Sequence, residues 1–187
     1  MNKIEKEKER YVAFLRGINV GGHHKVPMAD LKKELTKLGL ENTVTLLNSG
    51  NVIFDSINVD MASLEKQVSK HLEDVFGFFI PTILRRSKMI LDLLDEGPFK
   101  DEILTKDVRL YVSFLWKDAE SNLQLPWTSE DESFKVIGRK DRTILSVLDL
   151  SISKTPKAME VLEKHYGKGM TTRNWNTIVR VGKKLNS

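Results

Sequence analysis

Apolar residues in this chain fall in short runs broken by polar, glycine-containing stretches, and the spacing within each run predicts its element. Tyr11–Arg16 (YVAFLR) is a short apolar run of strand character. A turn-rich stretch with Gly17, Asn19, Gly21 and Gly22 follows, and Pro27 then opens a helix, where its missing N–H costs nothing. Met28, Leu31, Leu35 and Leu38 recur at helical spacing up to Gly39, the residue expected just past a helix end. Thr43–Leu47 and Val52–Phe54 are two β-rich runs joined by Asn48-Ser49-Gly50-Asn51, a tight-hairpin signal. Asp60 is placed to cap a second helix with Met61, Leu64, Val68, Leu72 and Val75 on its apolar face, ended by Gly77. Phe78–Leu84 predicts a fourth strand, at a sheet edge because Pro81 cannot donate to a central ladder. The order over residues 10–86 is βαββαβ, a split βαβ or ferredoxin-like unit.

The second half is less regular. Ser87 caps a short helix over 88–94, and Gly97-Pro98 breaks it. Val108–Trp116 is a strand whose Tyr111-Val112-Ser113-Phe114-Leu115 echoes Tyr11-Val12-Ala13-Phe14-Leu15. After a short helical or irregular stretch, Phe134–Ile137 and Thr143–Leu148 predict a hairpin turning through Gly138–Arg142. Thr155-Pro156 starts a helix that Gly167 ends, and a last helix covers about 175–185 with Asn174 as its cap. The expected fold is therefore α+β: a ferredoxin-like subdomain with a connector helix over 1–96, and a smaller α+β subdomain with a C-terminal helix over 97–187. The echo suggests a diverged second copy of the first half.

This topology points to a site. In a split βαβ unit the first two strands run parallel and the third returns between them. The exit of the first strand and the tip of the second-to-third-strand hairpin then share one end of the sheet. Arg16-Gly17 is expected beside Gly50-Asn51. The loop offers Arg16, Asn19, His23, His24 and Lys25, and its glycines expose backbone N–H groups suited to anions. The hairpin adds Asn48, Ser49 and Asn51. The stretch Gly17-Ile18-Asn19-Val20-Gly21-Gly22 matches neither the P-loop nor the dinucleotide fingerprint. No cofactor is implied, and the expected ligand is an anionic or phosphate-bearing small molecule.

Charge adds a second function class. Residues 1–86 carry a net charge of +2, residues 87–134 of −6 and residues 135–187 of +8. A basic C-terminal third behind an acidic middle permits nucleic-acid binding as the alternative. Tyr11, Phe14 and Phe54 lie on strands that carry base-stacking aromatics in RNA-recognition folds. Tyr11 and Phe14, three apart, point to opposite faces, and core packing is the simpler role for them. The chain has no cysteine, which excludes disulfides, thiolate nucleophiles and zinc–thiolate sites and fits a cytoplasmic location. No apolar run is long enough to span a bilayer, and Met1–Arg10, dense in Lys and Glu, predicts a frayed tail or a solvated helix extension rather than a secretory signal. Adjacent His23 and His24 lack metal-ligand spacing, so no metal is expected. Ser49 has no triad order around it, and Asp30 and Asp55 suit a helix surface and a strand end better than acid–base work.

Tyr11–Gly22, Lys25-Val26-Pro27-Met28, Ser49-Gly50-Asn51-Val52, Pro98-Phe99, Tyr111–Leu115 and Thr171–Thr177 occur in an order that resembles the bacterial domain-of-unknown-function family 1697 (DUF1697). The resemblance implies a soluble bacterial protein with two α/β subdomains, the first ferredoxin-like, and no established activity. This chain departs from it at Leu46-Leu47-Asn48, where the family shows an aromatic and a Gln, and at His23-His24, where it commonly shows Asn after a Lys. The shared strings fall on the loop and hairpin already singled out. They also nominate Thr171, Thr172, Arg173, Asn174 and Trp175 before the last helix. The candidate ligand-binding set is Arg16, Gly17, Asn19, Gly21, Gly22, Lys25, Ser49, Gly50, Asn51, Thr172, Arg173 and Asn174, with Arg173 reaching in from the second half.

Overall fold

The computed structural model describes residues 7–57, 60–121 and 123–187. The chain divides into two units, residues 1–91 with 185–187, and residues 92–184. Each contains one antiparallel sheet.

In the first unit β1 (Lys8–Leu15), β2 (Glu41–Leu46), β3 (Asn51–Ile57) and β4 (Thr82–Arg86) form a sheet of order β2-β3-β1-β4. With α1 (Met28–Lys37) between β1 and β2, and α2 (Met61–Phe76) between β3 and β4, this is the ferredoxin-like arrangement. Local signals act as read: the Asp60 carboxylate accepts from the Ser63 N–H at 2.8 Å, and Gly77 ends α2 at φ 79°. Leu31 and Leu35 of α1 and Leu64, Val68 and Leu72 of α2 pack on Tyr11, Ala13, Leu15, Val52, Phe54 and Leu84 to make the core. The opposite sheet face, with Val12, Phe14, Ile53 and Ile83, is also buried. Tyr11 and Phe54 stack at 5.8 Å inside the core. None of the three aromatics is therefore open to a nucleic-acid base.

Two boundaries differ from expectation. Lys8–Arg10, read as part of a charged tail, belong to β1; residues 1–6 lie outside the described residues. Register explains the strand: Arg10 sits opposite Asp55, and its guanidinium donates to both carboxylate oxygens, at 2.7 and 3.0 Å. That fork holds the Asp55 carboxyl below its ordinary pKa, with Asn42 assisting. Strand β4 begins at Thr82 instead of Phe78, because the stretch through Pro81 cannot form a continuous ladder; it does occupy an edge.

In the second unit β5 (Val108–Leu115), β6 (Trp127–Thr128), β7 (Phe134–Lys140), β8 (Thr143–Asp149) and β9 (Met170–Asn174) form a sheet of order β6-β7-β8-β5-β9. Helix α4 (Thr155–Tyr166) precedes β9, α5 (Trp175–Leu185) follows it directly, and α3 (Ser87–Glu96) follows β4 in the same way. Gly138 is not a turn residue. The strand runs through it with a register shift, and the turn is at Asp141-Arg142. Met170–Asn174, read as the lead into a helix, is a strand paired with β5.

The echo between halves extends to topology. Omitting β6, the order β7-β8-β5-β9 repeats β2-β3-β1-β4. The ladders coincide residue by residue: Leu15 pairs with Thr82 and Tyr11 with Arg86, as Leu115 pairs with Met170 and Tyr111 with Asn174. Strand ends are tied alike, Leu15 N–H to Gly50 O and Leu115 N–H to Arg142 O, both at 2.8 Å. Among the described residues the second unit has no counterpart of α1. Between β5 and β7, Leu123, Leu125 and Trp127 instead lay side chains on its core.

Candidate functional site

The end of β1 and the β2–β3 hairpin meet at one rim of the first sheet. Phe14 pairs with Asn51, Leu15 N–H donates to Gly50 O, and Arg16 N–H donates to Pro81 O at 2.9 Å. From Gly17 the chain forms a small loop closed on itself. Asn19 N–H donates to His24 O at 3.0 Å and His23 N–H to Val20 O at 3.1 Å, with Gly21 and Gly22 at the tip. Both tip glycines have positive φ, 59° and 79°, which L side chains adopt at a cost, and space beside each is open. The loop from Arg16 to Pro27 carries Arg16, His23, His24 and Lys25 and no carboxylate.

Several polar side chains of the rim are structural. Asn19 Oδ1 accepts from Val26 N–H at 2.8 Å, and its Nδ2 donates to Val26 O at 3.0 Å and Asn48 O at 2.9 Å. One side chain thus pins the loop to itself and to the hairpin. Asn51, fully buried, donates to Leu46 O and Ser49 Oγ, both at 3.0 Å, and so holds the hairpin shut. Gly50 is buried against Leu15 and Ile18. His24 stacks on Phe78 at 4.3 Å, and its ring N–H donates to Gly17 O at 3.2 Å. Lys25, His23 and the tip glycines Gly21 and Gly22 are exposed, with Arg16 half-buried beside them.

Asn19→Ala therefore loses three hydrogen bonds to backbone groups. At about 1 kcal/mol each, the expected loss is about 2–3 kcal/mol in chemical denaturation. Amide-exchange protection should fall at Val26 and leave α2 untouched.

The twelve candidate residues fall into two sets. Arg16, Gly17, Asn19, Gly21, Gly22, Lys25, Ser49, Gly50 and Asn51 share the rim of the first unit, while Thr172, Arg173 and Asn174 belong to the second. Thr172 and Ser113 share a hydroxyl hydrogen bond at 2.7 Å. Arg173 is 8 % exposed, and its Nη1 donates to Thr171 Oγ1 at 2.7 Å and Thr172 O at 2.9 Å. Burial lowers its pKa to about 10. These bonds tie its guanidinium to the strand that carries it. Asn174 ends β9 opposite Tyr111, exposed. Phe78 and Pro81 complete the rim without having been singled out. They reach it through the β1–β4 register, a tertiary fact with no local signal.

Among the described residues no helix is long and apolar enough to cross a membrane. No curated protein matches the chain. Among solved structures, conserved bacterial protein SP0830 from Streptococcus pneumoniae is similar, with 26 % identity, a TM-score of 0.74, and coverage of 97 % of this chain and 100 % of that one. The profile of a protein family of unknown function, DUF1697, matches residues 9–141. That span runs from β1, through the glycine loop and its partner hairpin, to the β7–β8 turn. Loop, hairpin and the repeated strand thus all lie inside the match, and the chain belongs to the DUF1697 family.

Proposed function

We propose that this protein is a cytoplasmic binding protein for an anionic, phosphate-bearing small ligand, received at the glycine-rich rim of the first unit. The observation that carries this reading is the loop between β1 and α1. It carries Arg16 and Lys25 and no carboxylate, and at its tip stand two consecutive exposed positive-φ glycines, Gly21 and Gly22, with open space where a side chain would be. Backbone amides in such a turn favour an anion, and nearby cations supplement them. Lys25 and Arg16 supply charge; Gly21 and Gly22 supply directional donors. Asn19 and Asn51 act as struts that keep the loop in this shape. The cysteine-free composition fits the reducing cytoplasm.

The test is an amide NMR titration of the full chain with inorganic phosphate and with pyrophosphate. Expected are shifts clustered over residues 17–25 that saturate, and at least a tenfold weaker response in Lys25→Ala combined with Arg16→Ala, about the worth of one charge-assisted hydrogen bond. No shift in that segment, or an undiminished one in a folded double variant, overturns the reading. Retention of single-stranded nucleic acid that collapses with salt, without any response to phosphate, would replace it with the nucleic-acid alternative.

A further inference from the structure

The second unit contains a corner of different chemistry. Strand β9 stops at Asn174 and turns into α5 with no linking residue. Its neighbour β5 runs on past that point. Val108, Arg109 and Leu110 have partners in β8, but the β5–β9 ladder ends at Tyr111. The corner left between β5 and the start of α5 is a cavity of about 530 Å³, within the range of about 300–1,000 Å³ that small-molecule sites occupy.

Lys106, Arg109 and Arg180 line it, and no carboxylate does. Arg109 is held in place through Nη1, which donates to Lys106 O at 2.7 Å and Val108 O at 3.0 Å. Neither carbonyl neutralises the guanidinium. Among the described residues none of these three cations pairs with a carboxylate, whereas Lys135, Lys140 and Lys157 of the same unit all do. Asn176 and Thr177 add hydrogen-bonding side chains, and Trp175, seated edge-on against Phe99, supplies an aromatic wall.

The repeat supplies an internal comparison. By register, Glu9 takes the place of Arg109 and Arg86 that of Asn174. In the first unit that corner is self-neutralised, with Arg86 Nε donating to Glu9 Oε2 at 2.9 Å and Tyr11 Oη donating to the same oxygen at 3.2 Å. In the second unit the carboxylate is replaced by a guanidinium. Positive charge is concentrated there without a counter-ion among the described residues. Such an arrangement costs folding energy through mutual repulsion and is relieved by a bound polyanion.

We propose that this corner binds a small molecule carrying two or more phosphate groups, held by Arg109, Arg180 and Lys106. The site is separate from the rim of the first unit and does not depend on it. Guanidinium forks match phosphate oxygens in pairs, and three cations in one cavity favour several negative charges over one. The volume suits a metabolite and is too small for a nucleic-acid duplex.

The experiment is an amide NMR and calorimetric titration of the full chain with inorganic pyrophosphate, and with citrate as a polyanion lacking phosphate. Expected are saturable shifts over residues 106–110 and 174–177, citrate binding at least tenfold weaker, and about a tenfold or greater loss in Arg180→Ala and in Arg109→Ala. Arg180 is exposed and has no partner among the described residues, so its variant keeps the test valid should Arg109→Ala fold poorly. Lys66→Ala, on an exposed position of α2, should bind as the parent does. Shifts confined to residues 17–25 would overturn the corner and leave the rim standing; shifts confined to the corner would do the reverse. Citrate bound as tightly as pyrophosphate, or an oligonucleotide bound there in preference to it, also overturns the proposal.

Discussion

Alanine at position 50 lowers the stability of the first unit by about 2–5 kcal/mol. Two costs combine. Gly50 has φ 72°, and a side chain in the left-handed region costs about 1–2 kcal/mol. A Cβ there would also stand 2.8 Å from both Leu15 Cβ and Ile18 Cδ1. Ile18 can rotate, but Leu15 Cβ is fixed to a strand whose N–H is bonded to Gly50 O, so backbone must move. Such overpacking adds about 1–3 kcal/mol. Gly77→Ala is the matched control. Its φ is 79°, but nothing lies within 4 Å of the added carbon, so only the conformational cost of about 1–2 kcal/mol applies. Urea unfolding of the two variants measures the difference. Equal losses would mean the rim is loose enough to yield, and the loop–hairpin contact would not be the rigid frame described above.

Phe54→Ala is expected to cost about 3–5 kcal/mol. The ring is fully buried at the middle of β3, against Tyr11 and the apolar faces of α1 and α2. Truncation removes its transfer energy and leaves a cavity that a sheet with both faces buried cannot collapse into. Phe54→Leu keeps most of the volume and should cost less than half as much. Unfolding by denaturant reads both. A mild Phe54→Ala loss together with weakened nucleic-acid retention would instead mark the ring as a binding surface.

Much of the first unit was legible because its signals are local. Asp60 caps, Gly39 and Gly77 stop helices, the leucines of α1 recur at helical spacing, and Ser49-Gly50 turns a hairpin. Given the βαββαβ order, chain topology alone brings Arg16-Gly17 to Gly50-Asn51. The roles of the polar residues there were not legible. Asn19 reads as a loop residue with a free amide, but its partners at Val26 and Asn48 exist only once the rim is assembled. Strand β9 was missed because Met170-Thr171-Thr172-Arg173-Asn174 lacks an apolar alternation; it is a strand because β5 offers an edge with matching register. Lys8–Arg10 were missed for a related reason, since a run of charges becomes a strand only when Asp55 and Glu41 lie across from it. The Arg109 corner has no local signal at all. It arises from the place where one ladder stops before its neighbour.

The missing counterpart of α1 leaves the second unit with an asymmetric skin. A helix satisfies its own backbone groups as it covers a core, whereas the Leu123–Trp127 stretch covers one with side chains and joins the sheet through the two-residue strand β6. Local opening begins where backbone is least secured. The second unit therefore breathes from that flank first, and its amide protons there trade with solvent while the β5–β8 pairing stays shut.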